Sequence, residues 1–294
     1  MKRFENNPIL KPVPGHYWQN REVFNAAAIY AGEKIHILYR AIGDDGVSRL
    51  GYASSSDGYS IDMRQPEPAF APELSCENLG CEDPRLTQMD GKCLMTYTAY
   101  RSYPTNAYQV SITEISLEDL VSSNWNWGER WLPFDGILNK NAVIFPKKVG
   151  GRYVMYHRIE PYMCVAYSED LKRWCDMKAV MQPRPSSWDS LKVGAAGPPI
   201  EINEGWLFIY HGVDFNYVYR LGALLIDKDD PETILHRSEK PILEPIEEYE
   251  RFGKVPNVVF CCGSVVVDDK LLVYYGGADS VVCGAEYDLG ELLP

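Results

Sequence analysis

The sequence of 294 residues lacks any apolar run long enough to cross a bilayer or to form the core of a signal peptide. That excludes a membrane partner and leads us to expect a cytoplasmic protein. It lacks a C-x-x-C pair. Its eight cysteines are scattered, with Cys261 and Cys262 adjacent, which suits reduced, buried thiols rather than a disulfide framework. It lacks closely spaced histidines: His16, His36, His157, His211 and His236 make no ligand pair of the zinc-peptidase kind, so no metal is expected. There is no G-x-G-x-x-G, no G-x-x-x-x-G-K-S/T and no G-x-S-x-G, so nucleotide-binding and serine-hydrolase readings have no support. Positive charge is scarce: the formal net charge is -12, which argues against nonspecific nucleic-acid binding while leaving room for a local basic pocket. No low-complexity linker divides the chain, so residues 1–294 are expected to form a single domain.

What the sequence does have is a phrase repeated five times. An apolar run ends at Tyr39, Tyr97, Tyr156, Tyr210 and Tyr274, at intervals of 58, 59, 54 and 64 residues. A strand precedes and another follows each copy, and turn residues such as Asp90-Gly91 and Gly150-Gly151 separate them. A fourth, outer strand is expected in each repeat, for example at 66–70 or 177–181. The sum is an all-β protein, a five-bladed β-propeller with four-stranded antiparallel blades around a central pocket.

The first strand of each repeat opens on a residue that recurs almost in step: Asn25, Asp83, Asn141, Gly197 and Asn257. In a propeller these five points converge on one funnel. Asp83 lies in the phrase CEDPR with Glu82 and Arg85, a charged cluster that is costly to bury without a use. Asp83 is the best-placed proton donor; the competing reading is a structural Asp83–Arg85 ion pair. Glu82 and Asp279 are further acidic candidates, with Asp44 and Asp45 in a loop. The basic candidates are Arg40, Arg49, Arg158, Lys192 and His211. Lys192 is expected in the loop before Gly197. In so acidic a chain, converging cations point to a bound anion or to sugar hydroxyls. Tyr103, Trp188, Tyr217 and Tyr219 are candidate platforms for sugar rings, and His157 reads as a packing residue.

The phrases NPIL (7–10), VFNAAA (23–28), GCEDPRL (80–86), NAVIFP (141–146), WDSLKVGAAGPPI (188–200), GWLFIYHG (205–212) and VYYGGAD (273–279) resemble glycoside hydrolase family 130, the mannoside phosphorylases and related β-mannosidases. The resemblance runs along nearly the whole chain. It implies a five-bladed propeller and an inverting attack by inorganic phosphate on a β-mannoside, giving α-mannose 1-phosphate and a shorter sugar. It implies no cofactor, with phosphate as co-substrate and a mannose-containing oligosaccharide as partner. It places the catalytic acid on Asp83, acting through the 3-hydroxyl of the bound mannose. Phosphate binding falls on Lys192 and His211, with Arg49 and Arg158 in matching phrases. The sugar falls on Asn25, Arg40 and Asp279, with Glu82 and Tyr219 beside them. A homo-oligomer is also expected.

Two rivals make different demands. A β-mannosidase using water needs a second carboxylate at the pocket, for which Glu247 or Glu248 is the candidate. A noncatalytic sugar-binding propeller needs no acid at Asp83. The acceptor loop is placed at Tyr103, Pro104 and Thr105.

Overall fold

A computed structural model describes residues 1–102 and 107–291. Strand β1 (Lys2–Arg3) is followed by β2 (Glu22–Ala31), β3 (Lys34–Ile42), β4 (Ser48–Ser55) and β5 (Met63–Arg64). Next come β6 (Gly80–Met89), β7 (Lys92–Arg101) and β8 (Ala107–Ser116), then β9 (Lys140–Ile144), β10 (Tyr153–Ile159), β11 (Tyr162–Ser168) and β12 (Trp174–Met181). The last third holds β13 (Lys192–Ala195), β14 (Ile200–Ile202), β15 (Gly205–Val213), β16 (Tyr219–Ile226) and β17 (Ile234–Arg237), then β18 (Val259–Val267), β19 (Lys270–Gly277) and β20 (Val281–Asp288).

These strands form four sheets. One runs β9-β10-β11-β12, and another β18-β19-β20 with β1 as its outermost strand. In a third, β13 and β14 both pair with β15, which leads to β16 and β17. The fourth has seven strands, because the antiparallel runs β2-β3-β4 and β6-β7-β8 meet through one parallel pairing, Ser48 with Gly80. The chain is therefore all-β, as expected, but its sheets are neither five in number nor uniformly four-stranded. The expected outer strand at 66–70 reduces to a single bridge between Leu50 and Phe70, beside the two-residue β5. Beyond β8, among the described residues, there is only the bridge Ile112–Trp131.

The local chemistry explains the hairpins. Gly32-Glu33, Asp90-Gly91, Gly150-Gly151 and Asp268-Asp269 all have positive φ at both turn residues, the geometry that matches strand twist in two-residue loops. The repeated tyrosines are buried and their hydroxyls satisfied. Tyr39 donates to Gln19 Oε1 at 3.0 Å, Tyr97 to Glu77 Oε1 at 2.5 Å, Tyr210 to Asp189 Oδ2 at 2.9 Å and Tyr274 to the Gly58 carbonyl at 2.7 Å; Tyr156 donates to the Pro231 carbonyl. Each ring fills core while its polar tip finds a partner, which a buried phenol requires. In the first hairpin the ring of Tyr39 is matched by a small residue, its ladder partner Ala26, and Ala26, Ala27 and Ala28 of β2 are all buried. A Cβ on Gly263 of β18 would lie 2.2 Å from the Ala28 nitrogen, so the two strands pack backbone to backbone.

The fourth repeat departs from expectation. Its first strand was expected at 197–202, but the ladder begins earlier, at β13, and breaks before β14. Pro198 and Pro199 have no N–H to donate, which explains the break. Lys192 thus sits at the head of a strand rather than in a loop.

Candidate active site

Three of the recurring strand openers share a local geometry. Asn25, Asp83 and Asn141 have φ of 49°, 51° and 57°, in the left-handed region that Asn and Asp tolerate best among residues with a Cβ. Each sits where the ladder register slips: Phe24 to Ala26 in β2, Glu82 to Arg85 in β6, and the stretch of β9 opposite Tyr156 and Arg158. A bulge re-aims the side chain it carries, and all three line one cavity of about 140 Å³. Asn257 also has positive φ, at 60°, whereas Gly197 does not.

One wall of the cavity is acidic. Asn25 Nδ2 donates to Asp83 Oδ1 at 2.8 Å, and Arg40 reaches the same oxygen at 3.2 Å and Glu82 Oε1 at 2.5 Å. Asp279 completes this wall. Burial pushes the Asp83 carboxyl up, but the guanidinium groups of Arg40 and Arg85 and the Asn25 bond outweigh it and hold Asp83 below its usual range. Glu82 goes the other way, raised chiefly by burial against the pull of Arg40. Burial likewise raises Asp279, to about 6.

Arg85 is not the ion-pair partner of Asp83. Its guanidinium donates to the backbone carbonyls of Asp83 at 2.8 Å and Ala196 at 2.8 Å, and to Asn141 Oδ1 at 3.3 Å. It ties β6 to β9 and to the chain after β13, leaving the Asp83 carboxylate facing Arg40 and the cavity.

A second part of the lining is cationic. Lys140 and Arg158 form it, and burial lowers the pKa of both; for Lys140 the neighbouring Arg158 charge adds to the effect. Behind them lies His211, fully buried, whose Nε2 accepts from Arg158 Nη1 at 3.2 Å and from Asn141 Nδ2 at 3.3 Å. Burial, then Arg158, Arg85 and Lys192, hold His211 well below its usual pKa, so the ring is neutral. With Nε2 accepting, the proton sits on Nδ1, which is buried and has no partner among the described residues. Lys192 stands at the edge of this wall: its Nζ lies 3.0 Å from Glu160 Oε1 and 5.8 Å from the centroid of the Tyr219 ring. Tyr219 and Phe260 form an aromatic floor, packed edge to face at 6.2 Å.

The structure thus brings Asn25, Arg40, Asp83, Arg158, Tyr219 and Asp279 to the cavity, with Glu82, Lys192 and His211 bonded to or packed against its lining. It does not bring Arg49, whose guanidinium pairs with Asp45 at 2.7 Å and lies over Tyr17. Asp44 pairs with Arg21. Trp188 stacks on Tyr210 at 5.4 Å and Tyr217 is exposed, so neither is a platform in this cavity. His157 is a packing residue, stacked on Phe134 at 4.5 Å. Glu247 and Glu248 are exposed at the start of a short helix, Glu248–Arg251, and do not line the cavity, so the second carboxylate that a hydrolase needs does not come from them. Tyr103, Pro104 and Thr105 lie outside the described residues.

Sequence reasoning missed Lys140, Phe260 and Glu160. Lys140 was legible: it immediately precedes Asn141, a recurring strand opener. Glu160 carries no motif of its own.

Comparisons with known proteins place the chain in a family. The Glyco_hydro_130 family model, described as beta-1,4-mannooligosaccharide phosphorylase, matches residues 1–294. The chain is 42% identical over 299 residues to a 1,2-beta-oligomannan phosphorylase of Thermoanaerobacter sp. (strain X514), covering 99% of this chain and 98% of that protein. The structure is similar to that of a beta-1,2-mannobiose phosphorylase from Listeria innocua in complex with beta-1,2-mannobiose, with TM-score 0.87 and 25% identity over 99% of this chain and 97% of that one. It is similar, too, to a structure from the GH130 family of mannoside phosphorylases described as containing hydrolases of beta-1,2 mannosidic linkages in Candida mannan. There the TM-score is 0.90, with 28% identity over 99% of this chain and 94% of that one. A family model matched from end to end and a relative 42% identical over almost the whole chain make this protein a member of glycoside hydrolase family 130.

Proposed function

We propose that this enzyme carries out inverting phosphorolysis of β-linked mannosides, with β-1,2-mannooligosaccharides as substrate, releasing α-mannose 1-phosphate and a shorter sugar. The observation that carries the reading is one cavity whose lining joins Asn25, Arg40, Asp83 and Asp279 to the cations Lys140 and Arg158, with Lys192 beside the lining ring of Tyr219. A phosphate dianion needs cations to hold it. It brings its own nucleophilic oxygen, so one protein carboxylate suffices where a hydrolase needs two. The β-1,2 preference follows that of the Thermoanaerobacter and Listeria relatives.

In this mechanism Asn25, Arg40 and Asp279 hold the mannose over the aromatic floor. Phosphate, held by Lys140, Arg158 and Lys192, attacks C1 from the face opposite the glycosidic oxygen. The C1–O glycosidic bond breaks as the C1–O phosphate bond forms, and the leaving oxygen takes a proton that Asp83 supplies through the 3-hydroxyl. In the empty site Asp83 is held ionised. A phosphate dianion across the cavity adds negative charge and raises the Asp83 pKa toward the range an acid needs. His211 serves by fixing Arg158 and Asn141 as a neutral acceptor rather than by contributing charge. Arg49 stands apart with Asp45.

We infer a single domain over residues 1–294 folded as a five-bladed propeller. What supports this is that the seven-stranded sheet divides at its single parallel pairing, giving five antiparallel meanders in all, and that β1 adds to β20 beside them. A reducing, cytoplasmic setting suits eight cysteines that are all free. No helix among the described residues is long and apolar enough to cross a membrane. Incubation with β-1,2-mannobiose with and without inorganic phosphate tests the reaction: phosphate-dependent α-mannose 1-phosphate supports it, and phosphate-independent mannose refutes it.

A further inference from the structure

The cationic wall already holds an anion of the protein's own. Oε1 of Glu160 lies 3.0 Å from Arg158 Nη2 and 3.0 Å from Lys192 Nζ, bridging the two cations through a single oxygen. Arg158 is buried, with 2% of its side chain exposed, and Lys192 has 17%; Glu160 has 44%, so it reaches in from solvent at the end of β10. A half-exposed carboxylate on two better-buried cations is placed as a detachable counter-ion: it screens their mutual repulsion when the cavity is empty, and water can take it back when another anion arrives.

We propose that Glu160 is a specificity-determining residue that occupies part of the phosphate position in the empty enzyme and is exchanged for phosphate when that co-substrate binds. This rests on the reading of Lys192 and Arg158 as phosphate ligands. Its consequence is a phosphate affinity set below what the cations alone would give. Because Arg158 and Lys192, against the effect of burial, hold the Glu160 carboxyl below its usual range, it stays ionised through the neutral region. The competition is therefore constant there and does not act as a pH switch.

The test is Glu160→Gln, which keeps the side-chain shape and removes the charge, with Glu160→Ala as a second variant and Lys192→Ala as the control. Initial rates are measured against phosphate at saturating β-1,2-mannobiose, and against the mannoside at saturating phosphate. We expect the KM for phosphate to fall roughly two- to fivefold in both Glu160 variants, the scale of one half-exposed ion pair. The mannoside KM should move less than the phosphate KM. Lys192→Ala should raise the phosphate KM. An unchanged or raised phosphate KM in the Glu160 variants, with the expected rise in Lys192→Ala, would overturn the counter-ion role and leave the phosphate reading standing. No change in phosphate KM in any of the three would overturn both.

Discussion

Asn25 and Asp83, 58 residues apart in the chain, meet through a 2.8 Å hydrogen bond from Nδ2 to Oδ1, each on a bulge and each in the left-handed region. The two bulges turn into one cavity side chains that an unbroken ladder would direct to the faces of the sheet. Two successive repeats thereby contribute an amide and a carboxylate to the same point.

Replacing the acid while keeping its shape isolates its chemistry. Asp83→Asn should lower kcat roughly a hundred- to ten-thousandfold, the range general acid catalysis supplies. Its folding and its binding of mannoside should be largely retained. Steady-state rates and mannoside binding by calorimetry check this, and near-normal turnover would remove Asp83 from the acid role.

Loss of a cation at the opposite wall should appear in the phosphate dependence. Lys192→Ala should raise the KM for phosphate by about tenfold, equivalent to about 1.4 kcal/mol, with a smaller change in mannoside KM. A rate that depends on phosphate as in the unmodified enzyme would show that Lys192 does not hold it.

The sequence made the repeat and the acid wall legible for a physical reason. Periodic tyrosines and recurring strand openers are consequences of packing five similar units, and each leaves a spacing that can be counted. Asp83 stood out because three charges beside a proline are expensive to bury. Lys192 and His211 stood out as basic residues near strand ends in an acidic chain, and the family phrases pointed them to phosphate, but their states were not legible. That His211 is neutral and sits behind Arg158 depends on neighbours 53 and 70 residues away. Arg49 looked equivalent to the other basic residues, yet its partner Asp45, four residues back, takes it out of the cavity. The early start of the fourth repeat's inner edge, at Lys192, was hidden by the two prolines that follow.

Gly194 offers a test of His211 that leaves the imidazole in place. It pairs with His211 across β13 and β15, and a Cβ there would lie 2.6 Å from His211 Cε1 and 2.7 Å from Nε2. Gly194→Ala should push the ring off Arg158 and Asn141 and weaken phosphate use, raising the phosphate KM more than the mannoside KM. Equal effects on both, or none, would argue that His211 has no part in holding the phosphate wall.

Asp279 should leave a signature in stability. Its carboxyl is raised to about 6 in the folded protein, above the roughly 3.9 of an unfolded chain. The folded state therefore binds the proton more tightly, and the stability this group contributes is present below about pH 4 and is lost as pH rises through 6. Asp279→Asn should remove that component: between pH 4 and 7 the stability of the variant, measured by urea unfolding, should fall less with rising pH than that of the unmodified protein. Parallel pH dependences would contradict the burial-driven shift.

The most direct test of the central claim is product analysis with β-1,2-mannobiose in the presence and absence of inorganic phosphate, following both α-mannose 1-phosphate and free mannose. The two walls predict α-mannose 1-phosphate and one equivalent of mannose only when phosphate is present. Two equivalents of mannose formed at the same rate without phosphate would contradict phosphorolysis and leave the buried cations of the second wall without a substrate.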